Sequence, residues 1–429
     1  MKPSSFPVTY WCPPPLKAMD AAFLDELLDA GINLLLTPMF TGAPEETDAA
    51  LALLDGCLSR GMEALLFDAR VVYGSCLSRD DAGVAALDEA AYRARVQASF
   101  DQYGKHPAVR AFFVGDEPHK EDYAAICAAS RVCRETTGKE GYVNLLPYYP
   151  KFLSATGCRD YEPYLEGFVR DSGSRILSQD FYAQIMENGE IHEDYWYVMR
   201  CQWEAARATG ADIWHIVLAT KHFDRGVPTV EDLRFEVNMS LAYGARAISY
   251  FTLLTPENHG PYETNFTEGP LDWWGDKTAV WDAVKKVDRE LHTRWGDRMM
   301  DLEVRRISHY PTVPYTYRRP LPRVKLDPFV PDDLIYSVSL VRGTAPQDVV
   351  ISEMRDQKTG EDYVFVANGN RRGSVAVRLT LNDALEMHRF DMNGAEYVAA
   401  RQENGENGRL KNAFWLAAGQ AELIRVVRK

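Results

Sequence analysis

Asp116 and Glu117 stand side by side in FFVGDEPHKED (112–122), directly after an apolar run and before a proline. Adjacent carboxyls at the end of a buried stretch disfavour each other's charge, and burial disfavours both charges further. A carboxyl kept protonated in this way near neutral pH can work as a general acid. The pair also reads as a solvated turn whose acids favour the N-terminus of the next helix. A further acid, Asp180 in SQDFY, closes another apolar run, and Glu257 lies in TPEN after a third. Asp180 reads alternatively as the structural partner of an arginine, and Glu257 as plain loop. Two carboxyls facing one bond, one protonated and one ionised, are the equipment for cleaving a glycosidic linkage.

The runs that carry these acids recur. Strand-length apolar segments occur at 8–12, 32–40, 63–73, 109–118, 141–149, 176–184, 212–220 and 247–255. Their apolar character is nearly continuous, as expected for parallel strands covered on both faces. Amphipathic helices lie between them. In FLDELLDAG, Phe23, Leu24, Leu27 and Leu28 form one stripe. Thr229 followed by Asp232 reads as a capping-box start. Gly31, Gly61, Gly138, Gly210 and Gly244 each fall between a helical stretch and the next strand. Eight such units predict a (β/α)8 barrel spanning 1–300. The rival, a doubly wound sheet binding a nucleotide, calls for a glycine-rich turn after its first strand. The first run is followed by CPPPLKAMD, which has no glycine.

In such a barrel the C-terminal strand ends and the loops after them form the site. The polar residues at those ends are Trp11, Thr37, Asp68 and Arg70, Asp116 and Glu117, Asn144, Tyr148 and Tyr149, Gln179, Asp180 and Tyr182, His215, Thr220, Lys221 and His222, Tyr250, Thr255, Glu257 and Asn258. Acids, amides and aromatics dominate, and cations are few. A phosphate site calls for the opposite, a glycine-rich turn at a helix N-terminus. The rim suits a neutral sugar, with Trp11, Asp68, Asp116, Asn144, Tyr148, Tyr182, His222, Tyr250, Trp273 and Trp274 as contacts. His215, in mid-strand beside Trp214, reads as a core histidine. Trp273 and Trp274 read equally as a stacking platform or as the anchor of the following helix.

Beyond the eighth run the chain is proline-rich, and 301–333 reads as a linker or strap. From 334 to 429 the period changes to two in IYSVSLV, DVVISEMRD, DYVFVANG, SVAVRLTL and AELIRVVRK, with turn signals such as NGNRRG between runs. This predicts a small antiparallel β-sandwich.

Bulk properties narrow the partners. The 429 residues carry a formal charge of −14, which gives no basic footprint for nucleic acid. No stretch reaches the roughly 18 apolar residues of a membrane span. The N-terminus lacks a signal-peptide core. Seven scattered cysteines without CxxC spacing suggest a reducing, cytoplasmic setting and no zinc site. No His-x-His or Glu-x-x-His pattern falls at a strand end, so neither metal nor cofactor is expected. A homo-oligomer is left open.

The Gly-Asp-Glu-Pro at 115–118 resembles the Asn-Glu-Pro signature of clan-A glycoside hydrolases. YGARAISYFTLLTP (243–256) resembles the eighth strand of uncharacterised bacterial β-galactosidase-like barrels. WGDKTAVWDAVKKVDREL (274–291) resembles the helix after that strand, and LAAGQAELIRV the last strands of the sandwich. The resemblance implies a glycosidase of small glycosides or oligosaccharides, with Glu117 as general acid/base and Asp116 in place of the asparagine that contacts the sugar 2-hydroxyl. It also implies a nucleophile glutamate ending the seventh strand. WHIVLATKHF has no acid before Asp224, so Asp180 stands as second carboxylate and Glu257 as third choice. Clan-D barrels pair acids on strands four and six. Chitinase-like barrels carry a Tyr-Asp near strand six that positions a substrate acetamido group. The alternatives are a barrel that binds sugar without cleaving it, or a metal-assisted isomerase or lyase.

Overall fold

The computed structural model describes residues 5–149, 151–183, 191–192, 194–223, 225–257, 265–311, 327–343, 348–382, 385–399 and 411–428. Eight parallel strands form the first domain: β1 (Val8–Tyr10), β2 (Leu34–Leu36), β3 (Glu63–Leu66), β4 (Val109–Asp116), β5 (Glu140–Leu145), β6 (Ile176–Gln179), β7 (Asp212–Leu218) and β8 (Ala245–Phe251). They pair in the order β1-β8-β7-β6-β5-β4-β3-β2, so each strand lies beside its sequence neighbours and β1 pairs with β8. The predicted (β/α)8 barrel is the fold observed. The gap between β1 and β2 is closed by Asn33. Its backbone N–H donates to Val8 O at 3.1 Å. Its side-chain oxygen accepts from the Val8 N–H at 2.8 Å, and its amide nitrogen donates to Phe6 O at 2.9 Å.

The helices are α1 (Ala21–Ala30), α2 (Pro44–Ser59), α3 (Glu89–Ser99), α4 (Tyr123–Thr137), α5 (Tyr161–Ser172), α6 (Tyr195–Thr209), α7 (Val230–Ala242) and α8 (Ala279–Arg294). Local chemistry sets their ends. Asp20 caps α1 by accepting from the Phe23 N–H at 2.9 Å, and Gly31 closes it at φ +104°, a left-handed turn that glycine adopts without a Cβ clash. Thr229 and Asp232 make the expected capping box at the start of α7. Inside the barrel, rings from three strands, β4, β5 and β7, and from just past the ends of two others, β1 and β3, meet. Phe67 lies 4.5 Å from Phe113, Tyr142 lies 5.6 Å from Trp214, and Trp11 lies 5.6 Å from Phe113. This aromatic layer fills the lumen, so the barrel is a packed core on which the upper mouth rests.

The second domain contains β9 (Leu302–Tyr310), β10 (Ile335–Gly343), β11 (Val349–Asp356), β12 (Asp362–Asn368), β13 (Val375–Leu381), β14 (Leu385–Phe390), β15 (Glu396–Val398), β16 (Lys411–Leu416) and β17 (Ala421–Arg428). Two antiparallel sheets result, β9-β11-β12-β17-β14-β15 and β10-β13-β16. Leu302–Tyr310 belongs to this sandwich and not to the strap the sequence suggested. Its ladder with β11 runs from Leu302 opposite Asp356 to Tyr310 opposite Val349. Of the proline-rich stretch, 312–326 lies outside the described residues. The larger sheet packs on α7 and α8. Ser352 Oγ donates to Ala242 O at 2.6 Å, Asn238 Nδ2 donates to Gly419 O at 2.9 Å, and Arg294 pairs with Glu422 at 2.9 Å.

The Asn33 seam is testable. Asn33→Ala removes two hydrogen bonds and leaves the buried Val8 N–H without its acceptor, at a cost of about 2–3 kcal/mol. Urea denaturation is expected to show a midpoint lowered accordingly. A midpoint unchanged from wild type would mean that the barrel closes by other means.

Candidate active site

The C-terminal ends of β4, β5 and β6 bring three carboxyls around one amide. Asn144, on β5, is 2% exposed. Its Nδ2 donates to Asp116 Oδ1 at 3.1 Å and to Asp180 Oδ1 at 3.1 Å. The amide is held in that orientation from behind. Ser178 Oγ donates to Asn144 Oδ1 at 3.1 Å and lies 2.8 Å from the Tyr142 hydroxyl. Glu117 completes the cluster, close enough to Asp116 and Asp180 for both carboxyls to act on its own. On the other side of Asp180, the Tyr182 hydroxyl donates to Oδ2 at 3.5 Å.

The electrostatics follow from crowding. Asp116 keeps accessible surface because it faces the open mouth, yet protein surrounds the carboxyl on its other sides. This burial pushes it up to about 6 against the pull of the Asn144 amide and the Glu117 backbone. Burial, and then the charge of Asp116, push Glu117 up to about 7. Asp180 is raised well above the usual carboxylate range, first by burial and then by Glu117 and Asp116. Three acids crowded into one desolvated site disfavour each other's charge, so the cluster retains protons toward neutral pH.

The backbone at the acid is strained. Glu117 has φ +42° and precedes Pro118, whose ring disfavours helical values for the residue before it. Cys12, at the end of β1, has φ +56° and precedes Pro13 in the same way. Burial, and then the charge of Asp116, push the Cys12 thiol up to about 12. Non-glycine residues in this region cost of order 1–3 kcal/mol and gather where a site requires the geometry. Across from the acids stands an aromatic wall. The His222 ring stacks on Phe266 at 4.5 Å and 6°, Tyr182 stacks on Phe251 at 6.0 Å, and the Arg225 guanidinium lies 5.5 Å from the Tyr182 ring. Burial, with Arg225 nearby, depresses His222 to about 4, so this ring is neutral at physiological pH.

The rim residues read from the sequence divide accordingly. Asp116, Glu117, Asn144, Asp180 and Tyr182 converge, and Trp11 packs below them against Phe113 and Tyr142. Burial, and then the charge of Glu117, raise the Tyr149 hydroxyl above its usual range. Two expectations are corrected. Asp68 is fully buried, and its oxygens are taken by Arg70 at 2.6 Å and Ser99 at 2.6 Å, so it anchors the β3 end and reaches no ligand. Tyr250 is also buried and points outward, donating to Asp288 on α8 at 2.6 Å. Tyr148 packs edge-on against Tyr197 at 5.1 Å, within an aromatic cluster over α5 and α6. Glu257 is exposed on the loop after β8. There Trp273, 41% exposed, donates its indole N–H to Pro256 O, and Trp274 stands 81% exposed beside it. His215 is a core residue within 3.1 Å of Gln179, and burial depresses it to about 3. Past β7, the described residues up to Phe223 include no acid, while Asp224 and Asn258 lie outside the described set. The sequence reading overlooked Ser178, the Asn144 support, although it sits two residues before Asp180 in the same run. It also overlooked Glu236, an acid in a helix whose residues from Asp232 to Ala242 are all buried.

No protein-family model matches the chain, and no curated protein matches it in sequence. Solved structures do match in fold. A GH42 β-galactosidase from G. stearothermophilus, solved as a catalytic mutant, is 10% identical over 99% of this chain and 98% of its own, with a TM-score of 0.61. A glycoside hydrolase family 5 protein from Bacteroides vulgatus is 12% identical over 98% of this chain and 88% of its own, with a TM-score of 0.52. A β-galactosidase from the psychrophilic Marinomonas ef1 is 13% identical over 69% of this chain, which spans 62% of its length, at a TM-score of 0.50. The chain thus shares the barrel fold of these glycoside hydrolases, as the Gly-Asp-Glu-Pro resemblance implied.

Because the Asn144 amide lowers both Asp116 and Asp180, its loss moves both upward. In Asn144→Ala, carbon-13 NMR of the carboxyls is expected to place the Asp116 midpoint clearly above the wild-type value near 6. An unmoved midpoint would remove Asn144 from its bridging role.

Proposed function

We propose that the protein is a glycoside hydrolase in which Glu117 is the general acid/base and the substrate is a small neutral glycoside or oligosaccharide. The observation that carries this reading is the meeting of Asp116, Glu117 and Asp180 around Asn144 at the C-terminal mouth of the barrel. Glu117, protonated up to about pH 7, donates to the departing glycosidic oxygen and then takes a proton from the incoming water. Asp116 lies open to the mouth, where its carboxyl can bind sugar hydroxyls. His222, Trp273 and Trp274 supply ring faces for the apolar side of a sugar, while Tyr182, buried against Phe251, contributes its hydroxyl beside Asp180.

Asp180 takes a defined part. It stands as the second carboxylate, its charge and that of Glu117 acting on each other. A carboxyl separation of roughly 5–5.5 Å in a sugar-bound structure would make it the nucleophile, and about 6.5–9.5 Å would leave room for an inverting water. Among the described residues no group of three His, Cys, Asp or Glu is arranged to hold a metal ion. Seven unpaired cysteines fit a reducing compartment, and no described helix is long and apolar enough to cross a membrane.

The test is a panel of chromogenic glycosides assayed across pH. Wild-type turnover is expected to fall as pH rises through about 7, where the Glu117–Asp180 pair gives up its proton. Glu117→Gln is expected to lose about 10²–10⁴-fold in kcat. Undiminished turnover in that variant removes Glu117 from the chemistry. Saturable sugar binding with no turnover across the panel would instead make the barrel a binding protein.

A further inference from the structure

Glu236 lies in the middle of α7 with no exposed surface. A carboxylate in that position has to be met by fixed donors. Its Oε1 accepts from the Ala183 backbone N–H, and its Oε2 accepts from the Leu218 N–H at 2.9 Å. Ala183 follows Tyr182 directly and Asp180 by three residues, while Leu218 ends β7. One side chain therefore fastens the segment carrying Asp180 and Tyr182 to the end of the adjacent strand.

The fastening continues into the sandwich. Asp232, one turn earlier on α7, accepts from Arg371 Nη1 at 2.5 Å and from Arg372 Nη1 at 2.9 Å. Both arginines lie in the turn between β12 and β13. Arg371 is 2% exposed. That turn is itself braced, because Asn368 Nδ2 donates to Gly373 O at 2.8 Å and to Ala417 O at 2.9 Å.

We propose that Glu236 is a positioning residue for Asp180 and Tyr182, and that the Arg371–Asp232 pair on the same helix makes the C-terminal sandwich a working part of the barrel site. The proposal rests on the reading of Asp180 as a member of a hydrolytic site. The ionised carboxyl holds both amides best, since protonation turns one oxygen into a hydroxyl, a weaker acceptor whose O–H needs a partner of its own. Burial pushes Glu236 up to about 7, while the two amides and then Arg371 draw it down against Asp232. Tyr182, Tyr195 and Tyr250 also face its charge. Loss of the Arg371 charge thus raises the pH at which the anchor lets go.

The experiment compares wild type with Glu236→Gln, Arg371→Met and Arg371→Lys in the full chain. Glycoside kinetics and hydrogen exchange of peptides covering 176–183 and 212–218 are both followed from pH 5.5 to 9. With exchange corrected for intrinsic rates, the wild-type segments are expected to loosen as pH falls through about 7. The midpoint moves up in Arg371→Met, returns in Arg371→Lys, and vanishes in Glu236→Gln. Glu236→Gln is expected to lower kcat about tenfold or more with KM changed less than about twofold, because misplacement by about 1 Å is enough. Wild-type exchange profiles in folded Glu236→Gln and Arg371→Met overturn the proposal. The expected exchange without any glycoside turnover supports the anchor and overturns the hydrolase reading instead. If Glu236→Gln fails to fold, the contrast between Arg371→Met and Arg371→Lys decides: equal midpoints overturn the proposal.

Discussion

Three carboxyls share one desolvated mouth, and the upper half of the barrel is organised around that cost. Two unit charges about 4 Å apart repel by roughly 4 kcal/mol at an effective dielectric near 20. Asp116, Glu117 and Asp180 therefore cannot all be charged unless donors are aimed at them. Asn144 is that donor for two of the three, and it can serve both because Ser178 and Tyr142 fix which way its amide points. The residual imbalance keeps a proton on the Glu117–Asp180 pair, which is the property a general acid needs.

The scaffold makes this arrangement affordable in free energy by rigidity at several depths. Beneath the acids, Trp11, Phe67, Phe113, Tyr142 and Trp214 fill the lumen, so the strand ends have no void to relax into. Beside the acids, Asp68 is spent on Arg70 and Ser99, which locks the end of β3. Behind them, buried pairs such as Arg371–Asp232 and Arg294–Glu422 join α7 and α8 to the sandwich. Buried ion pairs contribute little net stability but penalise any arrangement that separates them. They therefore fix one relative placement of the two domains.

The fold was largely legible in the chain. Continuous apolar runs, amphipathic stretches and glycines such as Gly31 at helix ends are local signals, and each marks one βα unit without reference to its neighbours. The four sandwich strands that went unread were Leu302–Tyr310, Leu385–Phe390, Glu396–Val398 and Lys411–Leu416. The first was masked by the nearby prolines. The others alternate charged or polar residues with apolar ones over short spans, and their strand character comes from a partner across the sheet. The site was legible as strand ends but not as contacts. Asp68 and Asp116 look alike in sequence, each an acid closing an apolar run. Only the position of Arg70 and Ser99 turns the first into a structural ion pair.

The sequence by itself determined the eightfold repeat, the change to a two-residue period after 334, and the placement of Glu117 at the end of the fourth strand. These follow from side-chain periodicity and backbone preference, which act over a few residues. Tertiary structure alone decided which acids meet around Asn144, that Tyr250 turns outward to Asp288, and that Glu236 bridges two strand ends. Those outcomes depend on distances between residues tens of positions apart, and on how much water burial removes from each. Neither quantity is encoded in any local pattern.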